Sequence, residues 1–196
     1  DPSSEGWNFI YSEHFESVFY GFPGPFVIKP VSGRASKHVY FVDSKKEVKH
    51  AVEKVWNETN YLCLVEEYLP GREFAISIMG SRVRQDGEFV IHDEPFAFSA
   101  LQRVFEPHEK IFTSMDEKPI TDDRIRLLDL SRESGLIREM EHLARQVFAW
   151  FTLSSLVRLD LRESGDGELH LLEANPKPDL KRPSEHSASI TCRGLA

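Results

Sequence analysis

The sequence predicts an α+β fold in two lobes of mostly antiparallel sheet with helices packed on them. Three features carry that expectation: short apolar runs that alternate with period two around tight-turn residues, two stretches with helical spacing, and a Leu69-Pro70-Gly71 break. The break separates residues 1–68 from residues 69–196. The chain holds no internal repeats and no low-complexity tracts.

In chain order, residues 21–25 (GFPGP) are turn chemistry, and residues 26–29 form a short strand closed by Pro30. Residues 32–36 (SGRAS) are small and polar, and residues 38–42 alternate again, so SGRAS is the loop of a hairpin. Ser44 with Glu47 fits a capping box, and Val48, Ala51, Val52 and Val55 follow at helical spacing. Residues 61–65 (YLCLV) are continuously apolar, the pattern of a strand covered on both faces, and stop at Glu66 and Glu67. After the break, residues 72–79 resume as a strand. Residues 83–91, divided by Asp86-Gly87, form a second hairpin. Residues 96–126 mix polarity and prolines without a clear period, which predicts a mostly irregular, mobile loop. A longer helix follows, with Leu136, Met140, Leu143, Ala144, Val147 and Phe151 on its apolar stripe and Ser134 as its cap.

Residues 156–180 (LVRLDLRESGDGELHLLEANPKPDL) read as a third hairpin, turning at Asp166-Gly167 through a two-residue type I′ loop. That turn sets Asp160 opposite Glu173 and Arg158 opposite Asn175, while Val157, Leu159, Leu161, Leu172 and Ala174 share the other face. Two facing carboxylates repel unless something positive sits between them. Hard oxygen ligands with few protein donors suit magnesium, with Asn175 adding a neutral oxygen. Arg158 offers a fixed cation to developing negative charge. A solvated polar face is the plainer alternative, but such faces seldom carry Asp, Glu and Asn with one Arg and no Lys or Thr.

Composition narrows the function further. The chain has 196 residues, of which 40% are hydrophobic, enough for one large or two small domains with buried cores. No run is long enough to span a membrane, and the opening DPSSEGW carries no secretory signal, which gives a cytoplasmic expectation with no membrane partner. The net charge of −8 speaks against a nucleic-acid partner. Two cysteines, Cys63 and Cys192, give neither a disulfide framework nor metal spacing, and the eight histidines are dispersed.

The order FVIKP, small-residue loop, LVEEYLPGRE, VRLDLR and LLEANPKP resembles the ATP-grasp superfamily, and within it the D-alanine:D-alanine ligase branch. The resemblance implies an ATP-grasp fold with residues 1–68 as a small nucleotide-covering lobe and residues 69–196 as a larger lobe carrying the metal and catalytic hairpin. It implies an ATP-dependent carboxylate:amine ligase that activates a carboxylate as an acyl phosphate, with ATP and Mg2+ (or Mn2+) as cofactors. Its partners would be a small-molecule carboxylate and amine, and a homodimer is compatible with it. Lys29 would contact the nucleotide phosphates, with Ser32, Gly33 and Ser36 in the loop over the triphosphate. Glu66, Glu67, Tyr68 and Leu69 would meet adenine at the hinge, and Glu73 the ribose hydroxyls. Asp160, Glu173 and Asn175 correspond to the magnesium ligands, and Arg158 to the catalytic cation beside the acyl phosphate.

The sequence also departs from the family. Arg34, Lys37 and His38 stand in the small-residue loop, and Asp179 follows Pro178 where a glycine is expected. Lys177, Asp179 and Ser184 are the candidate substrate contacts, and Asp179 points either to a second substrate other than D-alanine or to a remodelled pocket. Arg103 and Lys110 would reach the phosphates from a closing loop. Too few residues precede Lys29 for the N-terminal domain such ligases carry, which reads as a cut chain or a domain supplied elsewhere. The alternatives are an ATP-binding module without catalysis, or an ATP-grasp ligase with a different amino-acid or peptide substrate.

Overall fold

The computed structural model describes residues 17–112, 120–180 and 189–195, with backbone only at Val83. The chain divides into two compact units, Asp1–Tyr68 and Leu69–Ala196.

In the first unit, β1 (Phe26–Pro30) lies between β2 (Tyr40–Val42) and β3 (Cys63–Glu67), both antiparallel to it. Period-two alternation turns Phe26 and Ile28 inward and leaves Val27 and Lys29 on the opposite face. Helix α1 (Lys45–Thr59) covers the inward face with Val48, Ala51, Val52 and Val55, and these six side chains form the heart of this core. Each such burial is worth about 1.5–3 kcal/mol for a large aliphatic or aromatic side chain. The helix opens where Glu47 Oε2 accepts from the backbone N–H groups of Asp43 and Ser44, both at 3.1 Å. It closes at Asn60, whose φ of 57° is the left-handed conformation asparagine tolerates.

The apolar run at 61–65 is not enclosed on both faces. Strand β3 is a sheet edge, and Leu62 and Leu64 remain 69% and 43% exposed. Leu64 pairs with Lys29 and shares the face that α1 does not cover. A continuous apolar run anticipates two covering layers, and the described part of this unit supplies one.

The strands of the second unit are β4 (Glu73–Met79), β7 (Phe96–Ala97), β8 (Leu101–Arg103), β9 (Ile125–Leu127), β10 (Val157–Glu163) and β11 (Leu169–Asn175), and the hairpin β5 (Arg82–Gln85) with β6 (Glu88–Ile91) stands apart. They form a sheet in the order β11-β10-β4-β8-β9, with β7 also on β4. One face takes Phe74, Ile76 and Ile78 from β4 and Val157, Leu159 and Leu161 from β10 against helix α2 (Ser134–Trp150). The helix meets them with Ile137, Met140, Ala144, Val147 and Phe148. Ser134 is its first residue and Glu133 its N-cap, while Phe151 is the exposed C-cap rather than a member of the stripe. The second face carries a smaller apolar cluster, Ala75, Leu101, Phe112, Ile120, Ile125 and Ile190, beside buried charged groups. Ile190 opens the short helix α3 (Ile190–Gly194), whose Ser189 cap accepts from Cys192 N–H at 3.2 Å. Among the described residues no helix is long and apolar enough to cross a membrane.

The described residues of 96–126 are irregular over most of their length, but they are tied into the sheet. They supply β7, β8, β9 and a 3-10 turn at Asp122–Arg124, and β8 pairs directly with central β4. Strands of two and three residues are too short to show a period, and the buried side chains here include Arg103 and Arg124, which composition rules put outside.

The two Asp-Gly turns also part company. At Asp86-Gly87 both residues have positive φ (49° and 88°) and Gln85 pairs with Glu88, the expected type I′ hairpin. At Asp166-Gly167 only Gly167 has positive φ, and the chain turns through Gly165-Asp166, with Gly167 N–H donating to Ser164 C=O at 3.1 Å. Ser164 redirects it: its Oγ accepts from Glu168 N–H at 3.1 Å and its own N–H donates to Glu168 C=O at 2.9 Å. Near the turn the register is Glu163 with Leu169 and Leu161 with Leu171. A bulge then shifts it, so Asp160 faces Glu173 and Arg158 faces Asn175, as the sequence predicts.

Candidate functional site

Strand alternation brings the charged residues of the second unit together. On β10 the even-numbered Arg158, Asp160 and Arg162 leave the α2 face, and on β4 Glu73, Ala75 and Ser77 do the same. Register sets Arg162 beside Glu73, Asp160 beside Ala75 and Arg158 beside Ser77. Strand β8 adds Arg103 on the far side of Glu73, and β11 adds Glu173 and Asn175. Ala75 projects only a methyl group, which leaves space for Arg103 to cross β4 diagonally towards Asp160.

The resulting network is continuous. Arg162 Nη1 donates to Glu73 Oε2 at 3.1 Å, and Arg103 donates to Glu73 Oε1 at 2.5 Å and to Asp160 Oδ2 at 2.8 Å. Arg158 grips Asp160 as a fork, Nε to Oδ1 at 2.7 Å and Nη2 to Oδ2 at 2.9 Å. Asn175 Nδ2 lies 2.8 Å from Glu173 Oε1 and 3.4 Å from Asp160 Oδ2, bridging the two facing acids. Glu73, Arg103, Asp160 and Arg162 are only 4%, 8%, 2% and 6% exposed. Burial pushes the Asp160 carboxyl up, but the Arg103 and Arg158 charges and their hydrogen bonds outweigh it and hold it below the usual carboxylate range. The Arg103 guanidinium, disfavoured by burial, is held charged by Asp160 and Glu73.

As arranged, these residues do not fit a bare divalent ion. Both Asp160 oxygens already accept guanidinium hydrogen bonds, and no group of three or more His, Cys, Asp or Glu among the described residues could hold a metal. The arrangement is instead a buried, preorganised network in which three guanidinium groups stand against three carboxylates.

Arg162 and Thr191 join the network without being among the candidates the sequence offers. Arg162 was legible, since period two puts it on the face of Arg158 and Asp160. Thr191, whose Oγ1 lies 3.5 Å from Arg158 Nη1, comes from α3 and carries no local signal. Arg103 was expected on a closing loop but is a buried β8 residue, and the Lys110 carbonyl accepts from Arg162 Nη1 at 3.1 Å. Lys177 is exposed, Asp179 is half-buried with its carbonyl accepting from Ser189 Oγ at 3.1 Å, and Ser184 lies outside the described residues.

In the first unit, Lys29 Nζ pairs with Glu66 Oε2 at 2.7 Å on the face that α1 leaves open. Glu67 pairs across to Phe26, Tyr68 donates its N–H to Pro25 C=O at 2.9 Å, and Leu69 is half-buried. The Tyr68 ring packs edge-on to Phe41, with centroids 4.8 Å apart. In the loop after β1, left-handed φ falls on Ala35, Ser36 and His38 rather than on Gly33, and Ser32 and Gly33 are exposed. His38 Nδ1 lies 2.8 Å from Glu58 Oε2, which ties the loop end to α1.

The family model described as D-ala D-ala ligase C-terminus matches residues 3–196. The chain belongs to that family. Within the D-ala D-ala ligase C-terminus family it is similar to a D-alanine--D-alanine ligase of Petrotoga mobilis, 27% identical over 89% of this chain and 54% of the relative. A D-alanine--D-alanine ligase of Fusobacterium nucleatum is 24% identical over 88% of this chain and 52% of the relative. Among solved structures, the VanG D-Ala:D-Ser ligase of Enterococcus faecalis superposes with a TM-score of 0.63 at 18% identity, covering 95% of this chain and 50% of that one. D-alanyl-alanine synthetase A of Vibrio cholerae gives a TM-score of 0.59 at 20% identity, covering 93% of this chain and 50% of the other. These likenesses give the fold, which is α+β and ATP-grasp. The chain spans about half the length of these relatives.

Proposed function

We propose that the chain is the ATP-grasp portion of an ATP-dependent carboxylate:amine ligase. In such a reaction a carboxylate oxygen attacks the γ-phosphorus of ATP, ADP leaves, and an acyl phosphate forms. The amine then attacks the acyl carbon, phosphate leaves with the C–O bonding pair, and a proton is lost from nitrogen. Both steps concentrate negative charge, so catalysis rests on positioning and fixed cations. The observation that carries this reading is the buried Arg103–Asp160–Arg158 network beside Glu73, Glu173 and Asn175 on one face of the sheet.

Arg158 is the candidate catalytic cation, and Asp160, Glu173 and Asn175 are the candidate metal set. Lys29, Ser32, Gly33, Ser36, Glu66, Glu67, Tyr68, Leu69 and Glu73 are the candidate nucleotide contacts. The Lys29–Glu66 pair beside exposed Leu64 supports that assignment, because a phosphate can replace the carboxylate on the ammonium while a purine ring lies on the apolar side chain. Lys177, Asp179 and Ser184 remain candidates for the substrate end, and a small carboxylate and amine in the cytoplasm are the proposed substrate setting.

A second reading, nucleotide binding without ligation, is favoured by one observation: Asp160 is fully engaged by guanidinium groups. Hydroxylamine trapping separates the two. With ATP, Mg2+ and a panel of amino acids, the ligase reading predicts hydroxamate and ADP in equal amounts from the longest natural form of the protein. ATP binding without hydroxamate would establish the second reading instead.

A further inference from the structure

Asp160 is the pivot of the candidate metal set, and its surroundings are unusual for a ligand waiting for an ion. It is 2% exposed, and it accepts from Arg158 Nε and Nη2 and from Arg103 Nη2 at 2.7, 2.9 and 2.8 Å. The Arg158 fork comes from its own strand, two residues away, and so follows Asp160 wherever β10 goes. Arg103 is different. It reaches from β8 across β4, and the same guanidinium holds Glu73 Oε1 at 2.5 Å, so one side chain occupies both acids. Its Nε is buried with no hydrogen-bond partner among the described residues. An unmet buried donor raises the free energy of the conformer that holds it, so Arg103 is held here mainly by its bonds to the two carboxylates.

We infer that Arg103 is the resident cation of this site: it competes with a divalent ion for Asp160, and the chain does not take up such an ion alone while Arg103 is in place. The inference rests on the reading of Asp160, Glu173 and Asn175 as ligands, and it adds the residue that controls their availability. Electrostatics supports it directly. Asp160, which faces Glu173, is already paired with both the Arg103 and the Arg158 charges, so its repulsion of Glu173, which would draw in a metal, is already relieved. Removing Arg103 withdraws one of those charges and frees an Asp160 oxygen. Arg162 gives the control, because it also donates to Glu73, whereas the guanidinium groups that grip Asp160 are those of Arg103 and Arg158.

The test is titration of Mn2+ alone, without nucleotide, into the full chain, read by electron paramagnetic resonance of the free ion. Wild type is expected to bind no stoichiometric Mn2+, Arg103→Met to gain at least about tenfold in affinity, and Arg162→Met to gain nothing. Adding Asp160→Asn to Arg103→Met should remove the gain. Arg103→Lys, which keeps the charge but cannot fork across Glu73 and Asp160, should gain less than Arg103→Met, and it is the variant to use if Arg103→Met does not fold. Stoichiometric Mn2+ binding by wild type would overturn the inference, as would a folded Arg103→Met or Arg103→Lys with no gain. Because no nucleotide or substrate is present, the result is independent of whether ligation is observed: a gain in Mn2+ affinity without hydroxamate would overturn the ligase reading and leave this one intact.

Discussion

Glu73 stands between two buried guanidinium groups, Arg103 and Arg162, with one oxygen on each. Glu73→Gln keeps the shape and removes the charge, and breaking a buried pair in this way should cost about 3 kcal/mol or more. Urea unfolding checks it; a loss of less than about 1 kcal/mol would mean the guanidinium groups relax to solvent. Acid sensitivity belongs to the same scale. Glu133 accepts from the Arg126 guanidinium and from Asp129 N–H, which hold its carboxyl at about 2 against an ordinary 4.5, and Asp160 is likewise held low. A depressed carboxyl stabilises the fold above its unfolded value and loses that contribution as pH falls towards its folded value. Stability should therefore be level near neutrality and fall as pH drops from about 4.5 towards 2. Glu133→Gln should flatten that fall in a pH series of thermal melts.

At the scale of elements, the β10–β11 hairpin depends on Ser164 as much as on its glycine. Ser164→Ala removes the acceptor for Glu168 N–H and should cost about 1 kcal/mol, while Asp160 and Glu173 keep their pairing because the bulge lies between them and the turn. Amide exchange at Leu161 and Leu171 would report any slip. The same hairpin shows what the sequence could disclose. Alternation around Asp166-Gly167 was enough to pair Asp160 with Glu173, although the turn type was different and a bulge offsets the difference. Helix α1 was equally legible, because its cap and its four inward residues are local. Strands β8 and β9 were not, because each is three residues long and stabilised by partners distant in the chain. Arg103 illustrates the limit: nothing in LQRVF says that an arginine there is buried, since its two acids come from strands 30 and 57 residues away. Arg162, by contrast, follows from period two once Asp160 is noticed.

For the whole molecule, each unit carries its own core, so damage to one should remain there. Phe26→Ala, in the first core, should destabilise that unit by about 3–5 kcal/mol. Hydrogen exchange should then accelerate in β1 and α1 while β4 and β10 retain protection; equal loss in both would show that the units unfold together. Candidate residues fall in both units, while the described charged network lies within the second. The most direct test is calorimetric titration of ATP with Mg2+ into the full chain and into Glu173→Gln. Saturable, magnesium-dependent ATP binding that the substitution abolishes is the expected result. ATP binding absent from the natural sequence, or unchanged in Glu173→Gln, would contradict the proposed function.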